Sequence, residues 1–273
     1  MSFDALSPCG LDYLPCRYGR SKVLFRGPRR SLDKPYVAFF GGTTTYGKYV
    51  ASPFSDLIET EIETTCPNLG CLNAGIDVYA TDPFLLDLAN NACVTVLQVT
   101  SPRNISNRFY RVHPRRNDRF VEASALLRII YRDVDFAEFN FVNHMLKRLQ
   151  LVSPDRFQTV VDELQAAWSA RMRLVLSQMP GKVILLWASA HEPPETALEI
   201  DTDPAFLTRS MIDGLRPFVT DCVEVVASPD ALAAGTEGMV FATMDQAAAQ
   251  TMLGPQLHRE VANALVPVLR HFI

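Results

Sequence analysis

Where the apolar run Tyr36–Phe40 ends, the chain reads Gly41-Gly42-Thr43-Thr44-Thr45-Tyr46-Gly47. Three glycines and three consecutive hydroxyls at a strand-to-helix turn suit two chemistries. A hydroxyl presented on such a turn is a candidate nucleophile, provided a base lies within hydrogen-bond reach. Glycine-rich backbone opening a helix also lets N–H groups converge on an anion, with the partial positive charge of the helix end behind them. A plainer expectation is that Thr43 or Thr44 caps the helix and satisfies its free N–H groups.

The second concentration of chemistry is Ser101 to Arg119, SPRNISNRFYRVHPRRNDR. It holds Arg103, Arg108, Arg111, Arg115, Arg116, Arg119 and His113 against the lone acid Asp118. The guanidinium fork suits carboxylate, phosphate or sulfate. Arg103 and Arg108, nearest the preceding apolar run, are the expected anion contacts, with Thr44 and Thr45 of the first loop. The competing expectation pairs these arginines with Glu122, Asp133, Asp135 and Glu138, so that they only hold the segment in place. The N-terminal arm carries Arg17, Arg20, Lys22, Arg26, Arg29 and Arg30, interleaved with Tyr18, Val23 and Phe25. That pattern fits an extra strand or a basic flap. Two histidines also merit notice: His258 falls in the first turn of a C-terminal helical pattern, and His191 follows an apolar run.

The elements that must position these residues are short apolar runs alternating with helical patterns. The runs are Tyr36–Phe40, Cys71–Ala74, Val94–Val99, Val183–Ser189 and Val223–Ala227. The helical patterns lie at about Pro53–Thr64, Pro83–Asn91, Asp155–Met179, Asp203–Pro217 and Leu257–Phe272. Runs of this length and character read as buried parallel strands. Their alternation with helices predicts an α/β fold, a three-layer α/β/α sandwich around a five-stranded parallel sheet. Residues 1–35 read as an N-terminal arm, and residues 36–273 as one α/β domain. A capping insertion is expected over about 101–151, with helices at about Val121–Tyr131 and Asn140–Leu149. In such a sheet ligands bind beyond the carboxyl ends of the strands, which points to the loops GGTTTYG, GIDVYATD, TSPRNISN and AHEPPE.

Composition narrows the function classes. With 273 residues, 48% hydrophobic and a net charge of −4, the chain can bury a sizeable core and carries no global attraction to nucleic acid or anionic membrane. No nucleic-acid-binding module is recognisable. No apolar stretch is long enough to span a bilayer, and the start MSFDALSPCG lacks the pattern of a signal peptide, so a cytoplasmic protein is expected. Of the six cysteines none forms a CxxC pair or a zinc-like Cys/His cluster, so neither metal nor cofactor is expected, and the thiols are read as reduced.

In order and spacing the loops resemble the SGNH (GDSL-type) hydrolase superfamily. Gly41–Gly47 resembles its first block, Leu72-Asn73-Ala74-Gly75 its second, Thr100–Asn104 its third, and Leu257–Leu265, LHREVANAL, its fifth. The resemblance implies a hydroxyl nucleophile at Thr43, a base at His258, and an oxyanion site from Gly42, Gly75, Val78 and Asn104. It further implies ester hydrolysis or acyl transfer on an anionic substrate such as a sugar or nucleotide conjugate. Thr43 stands where that family has serine, Gly42 where it has aspartate, and Pro255 where it has the acid that orients the histidine. Glu192, Asp77 and Asp245 are the candidate replacements. Two alternatives remain. One is a sulfotransferase-like enzyme holding a 3′-phosphorylated nucleotide with Gly41–Thr45 and Arg103/Ser106. The other is a catalytically inactive domain that keeps the crevice for binding.

Overall fold

In the computed structural model, residues 10–197 and 200–273 are described. Among the described residues seven strands form: β1 Val37–Gly41, β2 Asn68–Gly70, β3 Val94–Gln98, β4 Tyr110–His113, β5 Arg116–Ala123, β6 Val183–Ser189 and β7 Asp221–Val226. The α-helices are α1 Thr43–Tyr46, α2 Phe54–Ile62, α3 Asp77–Ala80, α4 Pro83–Asn91, α5 Ala125–Ile130, α6 Val142–Val152, α7 Pro154–Ser177, α8 Arg209–Asp213, α9 Pro229–Ala234, α10 Gln246–Ala249 and α11 Pro255–Arg270.

The main sheet has five strands in the order β2-β1-β3-β6-β7, each pair parallel. It is an α/β/α sandwich, and period-two alternation builds its two faces. Ala38, Phe40, Leu97, Leu185 and Trp187 join the core under α3, α4 and α7. Val37, Phe39, Val94, Val96, Ile184 and Leu186 join the core under α2, α9 and α11. Strands buried on both faces need no polar alternation, so β1 and β6 read as continuous apolar runs. Helix α7 serves two cores: its second half packs Trp168 and Met172 under the sheet, and its first half packs Phe157, Val160 and Leu164 against the insertion. Ser153 caps it, accepting from the Arg156 N–H at 3.3 Å. Ser153→Ala is expected to cost about 1 kcal/mol, read as a shift in the urea midpoint at unchanged slope.

Several expectations need correction. The second strand is Asn68–Gly70 and not Cys71–Ala74. Gly70 is needed there because a Cβ would lie 2.3 Å from the Tyr46 backbone nitrogen, so only glycine lets α1 pass so close. The insertion opens with an antiparallel β4–β5 hairpin that occupies Val121, where a helix was expected; the helix starts at Ala125 behind its cap Ser124. The helix expected over Asp203–Pro217 is only α8, a short piece capped by Thr208, followed by a 3-10 turn at Arg216–Phe218. Thr208 is extended at the N-cap, its hydroxyl accepting from the Met211 N–H, so the helix starts only there, and Gly214, a poor helix former, stands at its C-cap. Among the described residues the arm forms no strand beyond an isolated bridge between Cys16 and Phe25. Arg26 docks it, donating to the Tyr46, Gly47 and Ala51 carbonyls at 3.3, 2.6 and 2.7 Å.

Cys16, Cys66, Cys71, Cys93 and Cys222 are free thiols, while Cys9 lies outside the described residues. Among the described residues no helix is long and apolar enough to cross a membrane, and no group of side chains could hold a metal ion.

Candidate functional site

The strand order reverses between β1 and β3, and a polar crevice opens at their carboxyl ends. It is lined by Gly42, Thr43, Asn73, Gln98, Thr100, Ser101, Arg103, Asn104 and Asp203, among others. This is where open α/β sheets place ligands. Its walls are held from behind. The Thr100 carbonyl accepts from Trp168 Nε1 at 2.9 Å, and the Arg103 carbonyl from the Tyr110 hydroxyl at 2.6 Å. The Ser189 hydroxyl donates to the Asp203 carbonyl at 2.8 Å.

The organiser of the first loop is Gln98, which sequence reasoning passed over as part of an apolar run. Its side chain is 6% exposed, and its Oε1 accepts from the Gly42 N–H at 3.0 Å, the Thr45 N–H at 3.1 Å and the Thr45 hydroxyl at 2.6 Å. Two backbone donors at one oxygen settle which end of the amide is which. The Nε2 donors therefore point away from the loop, in a residue that lines the crevice.

The predicted residues divide into those brought together and those held apart. Thr43, Gly42, Arg103 and Asn104 share the crevice. Thr43 does not cap α1, whose N-cap is Gly42 with no side-chain bond. Its Oγ1 instead accepts from the Asn73 N–H at 2.9 Å and faces Asn73 Oδ1 at 3.3 Å. The expected oxyanion donors are already engaged. The Gly42 N–H goes to Gln98, the Gly75 N–H to Asn117 Oδ1 at 3.0 Å, and the Val78 N–H to the Gly75 carbonyl at 3.3 Å. Asn104 Nδ2 donates to the Asn73 carbonyl at 2.8 Å. Thr45 is buried on Gln98, and Thr44 is half-buried, with its carbonyl accepting from the Gly47 N–H.

His258 is not in the crevice lining. It is 1% exposed, with its ring stacked on Phe54 at 5.5 Å, and its Nδ1 accepts from the Phe54 N–H at 3.0 Å. An accepting Nδ1 means that the neutral ring carries its proton on Nε2. Burial, aided by the nearby Arg26 charge, pushes its pKa down to about 3. The replacement acids are also committed or unplaced. Asp77 is buried against Arg171 and accepts from the Ser106 N–H at 2.8 Å. Glu192 is exposed, and its carbonyl meets His191 Nδ1 at 2.8 Å. Asp245 is half-buried at a 3-10 turn.

Two arginines prove more structural than expected. Arg108 pairs with Glu163, its Nε donating to Oε2 at 2.6 Å, and thereby compensates a carboxylate whose side chain is only 6% exposed. An unpaired buried acid would be costly, which explains the arginine. Arg103 donates to the Ile200 carbonyl at 2.8 Å and pairs with Asp203 at 3.2 Å. For the sulfotransferase-like reading, the Ser106 hydroxyl accepts from the Val112 N–H at 3.2 Å, and the Lys48 ammonium lies 4.6 Å from the centre of the Tyr49 ring.

Beside the crevice and sharing Asn73 with it is a cavity of about 630 Å³, lined by Arg17, Lys22, His113, Arg115, Arg116 and Asp118, among others. The arm and the β4–β5 hairpin together build it. Among the described residues, none of Arg17, Lys22, Arg115 and Arg116 has an acid within ion-pair distance. Sequence reasoning noted both basic groups separately. Nothing in the linear order shows that residues 17–22 and 113–118 face one groove.

No curated protein matches the chain. A crystal structure of a protein from Lactobacillus plantarum, solved as a structural-genomics target, is similar at 13% identity and a TM-score of 0.41, over 88% of this chain and 98% of that one. The model of the family described as "Domain of unknown function (DUF6473)" matches residues 1–273, and the chain belongs to that family.

Proposed function

We propose that this chain binds an anionic small molecule at the carboxyl edge of its sheet, with the negative group in the Arg17–Lys22–Arg115–Arg116 groove and a neutral polar part extending past Asn73, which borders the Thr43 crevice. The carrying observation is the set of four cations lining one cavity without an acid partner among the described residues. By contrast Arg103, Arg108 and Arg111 of the insertion are matched, with Asp203, Glu163 and Glu122 respectively. Leaving like charges together unmatched costs Coulomb energy, and a bound anion recovers it.

Binding is favoured over ester hydrolysis or acyl transfer by the state of His258. A base for the Thr43 hydroxyl needs a free lone pair near it and a pKa close to the working pH. The Nδ1 lone pair of His258 is taken by the Phe54 N–H, and its pKa is about 3. The reading is therefore that of an SGNH-like scaffold retaining a ligand crevice without the hydrolytic pair.

Calorimetric titration with inorganic pyrophosphate tests it. Arg115 and Arg116 are exposed, so Arg115→Ala/Arg116→Ala is expected to fold normally. Loss of two charge-assisted contacts of about 1 kcal/mol each predicts about 30-fold weaker binding. Unchanged affinity in the double variant, or no binding to the parent chain, overturns the proposal. A parallel assay with small chromogenic esters is expected to show no turnover that depends on Thr43.

A further inference from the structure

The basic groove shares Asn73 and Asp118 with another cavity, a recess of about 520 Å³ lined by Arg103, Asn104, Phe141, Asn143, His144 and Lys147 as well. The two differ in charge. In the groove four cations lack an acid partner among the described residues, whereas in the recess Lys147 pairs with Asp201 at 2.5 Å and Arg103 with Asp203 at 3.2 Å. The recess cations are thus neutralised in place. What the recess still offers is neutral. Asn143 and Asn104 carry amides, and Asn104 donates to the Asn73 carbonyl at 2.8 Å, which leaves its Oδ1 as an acceptor. His144 adds an imidazole, and Phe141 adds a ring that is 42% exposed, with the Arg119 guanidinium carbon 4.0 Å from its centre.

Such a lining suits hydroxyl groups and the apolar face of a saturated ring better than a second anion. Each amide can donate to one hydroxyl and accept from its neighbour, the bidentate match that vicinal hydroxyls present. We propose that groove and recess are two subsites of one elongated site for a phosphorylated or sulfated sugar. The tetrahedral oxyanion sits among Arg17, Lys22, Arg115 and Arg116, and the sugar ring lies against Asn143, His144 and Phe141. The ligand crosses at Asn73, which also borders the Thr43 crevice. This assignment rests on the anion-binding reading of the groove and adds to it the identity and direction of the neutral part.

The test is calorimetric titration of the full chain with glucose 6-phosphate, trehalose 6-phosphate, glucose 6-sulfate, trehalose and inorganic phosphate. Sugar esters are expected to bind about tenfold or more tighter than inorganic phosphate, with neutral trehalose weaker still. Whichever of the 6-phosphate and the 6-sulfate binds tighter identifies the ester, and either preference supports the two-subsite site. Asn143 is exposed, so Asn143→Ala is expected to fold normally. It should bring the sugar esters back to the affinity of inorganic phosphate while leaving inorganic phosphate unchanged, whereas Arg116→Ala should weaken every anion. Equal affinity for sugar esters and inorganic phosphate, or indifference to Asn143→Ala, overturns the sugar subsite alone. No binding of any anion overturns the groove as well.

Discussion

Gln98→Leu is expected to destabilise the folded chain by about 3–5 kcal/mol, whereas Gln98→Glu costs no more than about 2. The leucine removes the one acceptor shared by the Gly42 N–H, the Thr45 N–H and the Thr45 hydroxyl, and all three donors are buried. Each donor left without a partner costs about 1–3 kcal/mol, and leucine can offset only part of this by burying its own apolar surface. A glutamate keeps an oxygen at that position. Its charge is held by the same three donors, which favour the ionised form. What glutamate adds is a negative charge in the wall of the crevice, so it should also weaken anion binding, an effect separable from stability. Urea unfolding gives the first comparison, and titration with pyrophosphate gives the second. Equal stability of the leucine variant and the parent would show that the loop does not depend on Gln98.

The sheet was legible wherever burial on both faces wrote an unbroken apolar run. Val183–Ser189 and the helix Pro83–Asn91 coincide with their expected limits. Legibility failed where polar side chains substitute for apolar packing. Strand β2 reads Asn-Leu-Gly, and its asparagine is buried because Nδ2 donates to the Thr45 carbonyl at 2.7 Å and to Ser55 Oγ at 3.0 Å. No periodicity announces such a strand, and the apolar letters just beyond it drew the expectation three residues too far. The β4–β5 hairpin hides for a related reason. Its second strand, RNDRFVEA, shows no clean alternation, and the hairpin joins the core mainly through Tyr110, Val112 and Ala123. At the site, the turn rich in glycine and threonine was identifiable because a strand-to-helix turn at a sheet edge has few other uses for that composition. The pairing of Arg108 with Glu163 was not, because a buried acid within a 24-residue helix looks like any surface glutamate until the hairpin is folded over it.

His258 makes the strongest pH-dependent prediction. The pKa of its folded state is about 3, against 6.5 for the free side chain. The unfolded chain therefore takes up a proton that the folded chain refuses, and the sign follows directly. The stability this residue contributes is fully present above pH 6.5, is lost progressively as pH falls, and is gone below about pH 3. The full span corresponds to about 5 kcal/mol, of which about 2 kcal/mol should already be missing at pH 5. The cause is local: the ring is sealed between Phe54 and the core under α11, its Nδ1 is committed to the Phe54 N–H, and the Arg26 charge disfavours a second cation. Asp56, whose pKa burial raises against the lowering effect of the nearby Arg26 charge, adds its own acid dependence. The measurement must therefore be a difference between two chains. His258→Gln keeps an acceptor for the Phe54 N–H and does not titrate. Its unfolding free energy should change between pH 7.5 and pH 5 by about 2 kcal/mol less than that of the parent chain. If the two pH profiles run parallel, the imidazole is able to take a proton in the folded chain, and its burial does not hold it neutral.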